Sequence, residues 1–295
     1  MELKYLDIIN REKVLVNGGF EFLGHSVVDN IENLFTFCDN FEFIDIIIKN
    51  KNITSVITKP EFADYFTGKN IGLVISEEVR MDFFKIHNFL EYKITPFETI
   101  IGQNNKIHKS TIISEKNVII GNDCIIEPNV VIHPNVEIGN NVIIRTGSII
   151  GGQGFQFSKN NANVLRVNHY GKTVIKNHVE IKELCTIHTA LFNWDSTFIG
   201  EYTKIDAHTH IGHSNKIGKK VYLCSHANIS GNSIVEDECY VGPGVNIPNR
   251  IKIGYKAKLS VGATITNDIN SETKVSGNFA IPHDIYIQHI KSLVR

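Results

Sequence analysis

The 295-residue sequence predicts a mainly β protein: a solenoid of short parallel strands, with a small α/β domain before it and a short helix after it. Three observations carry this reading. An aliphatic residue recurs every six positions over most of the chain. Seventeen of the 22 glycines follow residue 100, whereas 12 of the 17 phenylalanines precede it, so the chain changes character near Pro96. The first hundred residues instead alternate short apolar runs with one amphipathic stretch. The expected domains are 1–100, a small α/β domain; 101–276, the solenoid, with an insertion at 151–174; and 277–295, a helical cap.

The N-terminal elements come first. FIDIIIK (43–49), TSVIT (54–58) and NIGLVIS (70–76) read as short buried strands, and EEVRMDFFKIHNFLEY (77–92) places apolar residues at helical spacing. The segment LFTFCDNFEF (34–43) is unusually aromatic around Asp39-Asn40; by spacing alone it is core plus a turn.

In the second region the series Ile199, Ile205, Ile211, Ile217, Leu223, Ile229, Val235, Val241, Ile247, Ile253, Leu259, Ile265 runs without a miss. A second run covers Ile120 to Ile150, and a third covers Ile175, Ile181 and Ile187. A period of six fits neither an amphipathic helix nor one alternating strand. It fits short parallel strands joined by tight corners, the aliphatic side chain inward and a small residue after it letting the backbone turn. Three hexapeptides close one triangular coil, so roughly 24 of them make about eight coils. A small or β-branched residue four positions after the aliphatic one completes the interior, which makes Cys124, Cys185 and Cys239 fillers. Residues 151–174 and 192–198 break the period, and such insertions project from one face and often build binding sites. HDIYIQHIKSLVR (283–295) reads as a helix capping the open end.

Composition removes several function classes. A net charge of −1 gives no whole-chain attraction to nucleic acid or an anionic membrane surface. No apolar run approaches the roughly 20 residues of a membrane span. The N-terminal stretch lacks the pattern of a secretory signal, so a cytoplasmic location is expected. Five cysteines without CxxC spacing suggest neither a disulfide framework nor a zinc knuckle.

Histidine is the side chain best suited to general-base work near neutral pH. His213, in IGHSNKIG (211–218), lies two residues after inward Ile211 and faces outward. Asp206 occupies a turn seven residues earlier, where a carboxylate beside the imidazole would fix its tautomer. Gly231 follows His213 by 18 residues, one coil on, so its N–H is expected about 5 Å away and suited to an oxyanion. His208 and His213 fall on adjoining faces with no third ligand in place, and no metal is expected.

The order of domains, GGQGFQF (151–157), VEIKELCTIHTALF (179–192), KIDAHTHIGHSNKIG (204–218), ISGNS (229–233) and SGNFAIPH (276–283) resemble the UDP-3-O-acylglucosamine N-acyltransferases of lipid A synthesis. That family is a left-handed β-helix, and the resemblance supplies the hand of the solenoid. It implies His213 as catalytic base, Asp206 as its orienting carboxylate and the Gly231 amide as oxyanion donor. It implies that Phe37, Asn40 and Phe43 bind a nucleotide base, stacked between the two rings and read by the asparagine. The implied reaction moves an acyl group from acyl-CoA or acyl carrier protein to the amine of a nucleotide-linked amino sugar, for cell-surface glycan or lipopolysaccharide synthesis. No permanently bound cofactor is implied, and the expected assembly is a homotrimer. Arg250, Ser214 and His188-Thr189-Ala190 depart from the family pattern, which also brings in relatives that acylate nucleotide-linked dideoxysugars from acyl-CoA. A sugar O-acyltransferase and a non-catalytic scaffold are the alternatives.

Overall fold

The computed structural model describes residues 1–3, 13–90, 95–277, 280 and 282–293. Parts of two expected features, Glu91-Tyr92 of the amphipathic helix and Asn278, Phe279 and Ile281 of SGNFAIPH, lie outside the described residues. The chain forms two compact units. One contains 1–95, 153–171 and 191–195; the other contains 96–152, 172–190 and 196–295.

The first unit is built on a five-stranded sheet ordered β1 (Val14–Val16), β5 (Gly72–Ile75), β4 (Ile53–Thr58), β3 (Leu34–Cys38), β2 (Phe22–Leu23). Strands β2 to β5 are parallel and β1 is antiparallel. TSVIT and NIGLVIS form β4 and β5 as expected, but FIDIIIK does not form a strand. Asn40 caps a 3-10 turn at Phe41–Phe43, its Oδ1 accepting the Glu42 N–H, and helix α1 (Ile44–Lys49) continues from it. Burial of Ile44 and Ile47, three apart on one face, outweighs the strand preference of the β-branched run. After the short helix α2 (Ala63–Phe66), helix α3 (Val79–Phe89) buries Val79, Phe83, Phe84 and Ile86 beside Phe35 and Val74.

Both insertions are structural parts of this unit. The first forms a hairpin pairing Phe157–Lys159 with Val164–Arg166, and Asn88 of α3 donates to the Arg166 carbonyl at 2.7 Å. Trp194, from the second, donates its indole N–H to the Leu23 carbonyl at 2.8 Å. Val167, Leu191 and Phe192 join the same apolar cluster.

The second unit is a left-handed parallel β-helix of three sheets with nine, seven and eight strands. Its regular register is 18 residues, as in Lys204 opposite Tyr222 and Ile205 opposite Leu223. The inward isoleucines, leucines and valines form one continuous interior column, and Cys124, Cys185 and Cys239 fill it as expected. Burial pushes the thiols of Cys185 and Cys239 up to about 11, which leaves them unreactive.

The small residue after each aliphatic one has a different reason from the expected turn. The left-handed corner conformation is taken three positions after the aliphatic residue, by Asn141, His208, Ser214 and Asn232 among others. Glycine follows the aliphatic residue because the next coil passes close: a Cβ on Gly200 would lie 2.4 Å from the Gly218 carbonyl oxygen. Helix α4 (His283–Leu293) forms at the C-terminal end as expected, with Ile285 and Tyr286 about half exposed. No described helix is long and apolar enough to cross a membrane.

Candidate active site

The candidate base His213 stands at one corner of the solenoid, where the chain passes from the seven-stranded to the eight-stranded sheet. Both insertions leave and re-enter here, after Gly152 and after Ala190. A corner tolerates them because the strands on either side keep their pairing: Lys172–Ile175 still pairs in register with Ser196–Ile199. His213 sits at this corner on the next coil.

His213 is only 9% exposed. Its backbone is fixed on both sides. The Ser214 N–H donates to Thr197 Oγ1 of the preceding coil at 2.8 Å, and the His213 carbonyl accepts the Asn232 N–H of the following coil at 2.9 Å. Gly231 lies directly against the imidazole: a Cβ there would be 2.6 Å from His213 Nε2 and 2.8 Å from Cε1. The 18-residue stagger therefore brings His213 and Gly231 together as the sequence predicts. Among the described residues no hydrogen bond uses the Gly231 N–H. A base and an uncommitted backbone donor on adjacent coils are the minimum needed for acyl transfer through a tetrahedral oxyanion.

Two further histidines belong to this cluster. His210 precedes inward Ile211 and so faces outward, with its Nδ1 2.7 Å from Thr186 Oγ1. His188 packs edge-on against it, ring centroids 4.7 Å apart. Burial, followed by the neighbouring His210 and His213, pushes His188 down to about 4, and burial also lowers His210. Both rings are thus neutral near pH 7 and offer polar atoms without positive charge. The sequence signal for His210 was its outward parity; His188 is hidden by the insertion that interrupts the 18-residue count. No group of three His, Cys, Asp or Glu side chains among the described residues is arranged to hold a metal ion.

Asp206 lies at a different corner. It is exposed, and its Oδ1 accepts the N–H of its neighbour Ala207 at 2.8 Å, so it caps its own corner rather than the imidazole. That corner joins the nine- and seven-stranded sheets, whereas His213 is on the next edge of the triangle. Seven residues of near-extended chain, at about 3.3 Å each, carry the backbone along a whole side. Closeness in sequence here means separation in space, and within one chain Asp206 does not reach His213.

The predicted base-binding residues are also divided. Phe37, on β3, packs into the cluster with Phe83 and Phe84, and the Arg80 guanidinium lies 5.4 Å above its ring. Phe43 packs with Leu34, Cys38 and Ile44. Phe37 thus belongs to one apolar cluster and Phe43, in the turn that follows β3, to the other. Asn40 is exposed at the carboxyl end of β3. A cavity of about 460 Å³ opens at this end, lined in part by Asp39, Lys59, Arg80 and Lys159. A second groove, of about 390 Å³, runs along the eight-stranded face of the solenoid past Lys216, Phe198, Ile234 and Tyr255.

Residues 117–152 match the family model described as bacterial transferase hexapeptide (six repeats). The chain is 31% identical over 149 residues to the UDP-3-O-acylglucosamine N-acyltransferase of Methylobacterium nodulans, covering 50% of this chain and 42% of that protein. It is 31% identical over 121 residues to the acyl-[acyl-carrier-protein]–UDP-N-acetylglucosamine O-acyltransferase of Burkholderia orbicola, covering 41% and 46%. The match thus spans less than half the length of either relative. Among solved structures, the UDP-N-acetylglucosamine acyltransferase of Arabidopsis aligns with a TM-score of 0.52 at 22% identity over 61% of this chain and 68% of that one. The Bacteroides fragilis enzyme of the same name gives 0.52 at 19% over 65% and 74%. These structures share the fold of the solenoid.

Proposed function

We propose that this protein is an N-acyltransferase that moves an acyl group from a thioester to the amine of a nucleotide-activated amino sugar. The observation that carries the reading is the pairing of nearly buried His213 with the side-chain-free Gly231 one coil away. The name of the Methylobacterium relative supports an amine acceptor over a hydroxyl one. In this reading the amine nitrogen attacks the thioester carbonyl and His213 takes its proton. The Gly231 N–H donates to the oxyanion. Collapse breaks the C–S bond, and the imidazolium returns the proton to the departing thiolate. The chemistry uses no metal. The groove past Phe198 and Ile234 suits an apolar acyl arm, from acyl-CoA or acyl carrier protein. The N-terminal unit would hold the nucleotide, with the exposed Asn40 and the aromatic residues Phe37 and Phe43 of the same segment as its base-reading elements.

Because Asp206 and His213 lie on different edges of one solenoid, an orienting role for Asp206 requires a neighbouring copy. We therefore propose a homotrimer in which one copy's Asp206 edge meets the next copy's His213 edge. The test of the reading is His213→Ala, assayed by thiol release from acyl-CoA and acyl carrier protein with a panel of UDP- and dTDP-amino sugars. The expected loss in kcat is about 10²–10⁴-fold; survival of transfer within a few-fold means that His213 is not the base.

A further inference from the structure

We infer that Asn215 is a positioning residue that sets the spacing between the base and the oxyanion donor. This rests on the acyl-transfer reading of His213 and Gly231.

Asn215 occupies the inward slot four positions after Ile211, where other coils carry Cys, Val, Ala, Ser or Thr. It is completely buried. Its side chain is nonetheless fully engaged with the backbone on both sides of the site. Its Nδ2 donates to the Gly212 carbonyl at 2.9 Å, the residue immediately before His213, and also lies 3.3 Å from the Ile229 carbonyl oxygen. Its Oδ1 accepts the Ser233 N–H at 2.8 Å, two residues beyond Gly231. One rigid carboxamide therefore ties the corner that carries the base to the corner that carries the donor. These corners are joined elsewhere by the bond from the Asn232 N–H to the His213 carbonyl, and the clamp fixes the other end of each. A tetrahedral intermediate must contact both groups at once, and an ångström of slippage between them removes much of the benefit of prior alignment.

The molecule contains its own control. Asn105 fills the corresponding slot four positions after Ile101, where it is only partly buried, and makes a similar clamp. It donates to the Gly102 and Gly121 carbonyls at 2.9 and 2.8 Å and accepts the Cys124 N–H at 2.7 Å. No base or donor of the proposed site lies on those coils. If the clamp served folding alone, the loss of neither asparagine would lower kcat of the folded protein. Thr203 shows that a hydroxyl can replace the carboxamide, since its Oγ1 donates to the Gly218 carbonyl at 2.8 Å while accepting the Val221 N–H at 3.1 Å.

The experiment compares Asn215→Val, Asn105→Val and Asn215→Thr in the full-length protein, by thermal melting and by steady-state kinetics with the best donor–acceptor pair. Both valine variants should lose stability, Asn215→Val the more because Asn215 is fully buried and Asn105 only partly. Only Asn215→Val should lose kcat, on the order of ten-fold, with KM for both substrates within about two-fold. Asn215→Thr should recover most of the loss. Equal kcat in the two valine variants, or no recovery with threonine, overturns the inference. If the valine variant does not fold, Asn215→Ala takes its place, because Ala227, Ala257 and Ala263 already occupy this slot. If His213→Ala is active, the reading of the reaction fails and this inference falls with it; if His213→Ala is inactive while Asn215→Val is normal, only this inference falls.

Discussion

Replacing Gly231 with alanine separates catalysis from folding at the proposed site. The backbone of Gly231 is not in the left-handed region, so alanine fits its torsions. The added methyl would lie 2.6, 2.8 and 2.9 Å from Nε2, Cε1 and Cδ2 of His213, against about 3.4 Å for ordinary contact. The imidazole must retreat by about 0.8 Å, and it is too buried to do so freely. Misplacement of a reacting group by about 1 Å costs on the order of 10²-fold, or about 2.7 kcal/mol of transition-state stabilisation. The stability cost is smaller. Overpacking costs about 1–3 kcal/mol, partly offset by the 0.4–1 kcal/mol, roughly, that alanine removes from the unfolded chain's freedom. The assay is thiol release under saturating donor and acceptor, alongside a melting curve. The expected result is a kcat lowered about 100-fold, with Tm lowered by about 2–4 °C for each kcal/mol of net strain. A folded Gly231→Ala protein with kcat within three-fold of the parent would refute the placement of base and donor.

Three other outcomes are expected. His87 is fully buried in the N-terminal unit, its Nε2 2.9 Å from the Asn168 carbonyl oxygen, and burial pushes it down to about 4. The unfolded chain takes up this proton near pH 6.5 and the native protein only near 4. The contribution of His87 to stability is therefore constant above pH 6.5 and falls as pH drops from there to 4, by up to about 3 kcal/mol; urea melts at pH 7.5 and 4.5 should show a difference that shrinks in His87→Gln. Co-expressed His213→Ala and Asp206→Asn chains should recover activity absent from either alone, to about a quarter of the parental sites for random mixing, whereas no recovery means that sites are not shared between copies. Asn40→Ala should raise KM for the nucleotide sugar several-fold and leave the donor KM unchanged; an unchanged acceptor KM in those kinetics removes Asn40 from base recognition.

Much of the solenoid was legible because its code is local and repeats. An inward isoleucine every six residues names the strands, and a stagger of 18 residues names neighbours on adjacent coils; Gly231 beneath His213 follows directly. The strand prediction for 43–49 failed, and Asp206 lies away from the His213 of its own chain, for reasons that spacing does not contain. Ile44 and Ile47 form one helical face because β3 to β5 already supply the sheet, which only the packed unit reveals. Asp206 is near His213 along the chain but an edge away around the triangle. His188 and His210 meet despite a separation of 22 residues, because the intervening insertion displaces the regular count.

The sequence by itself determined the interior of this protein: which residues face inward, which coils are adjacent, and that a histidine stands over a glycine. Those relations follow from the fixed rise and period of stacked strands, and a short repeat states them completely. The tertiary structure decided what depends on interruptions and on edges. It placed both insertions in the N-terminal unit, gathered three histidines at one corner, gave Asp206 to another, and used buried Asn215 to clamp the His213 and Gly231 corners. Contacts made after a break in the period, or across the side of a triangle, are set by packing of whole elements, and no local spacing encodes them.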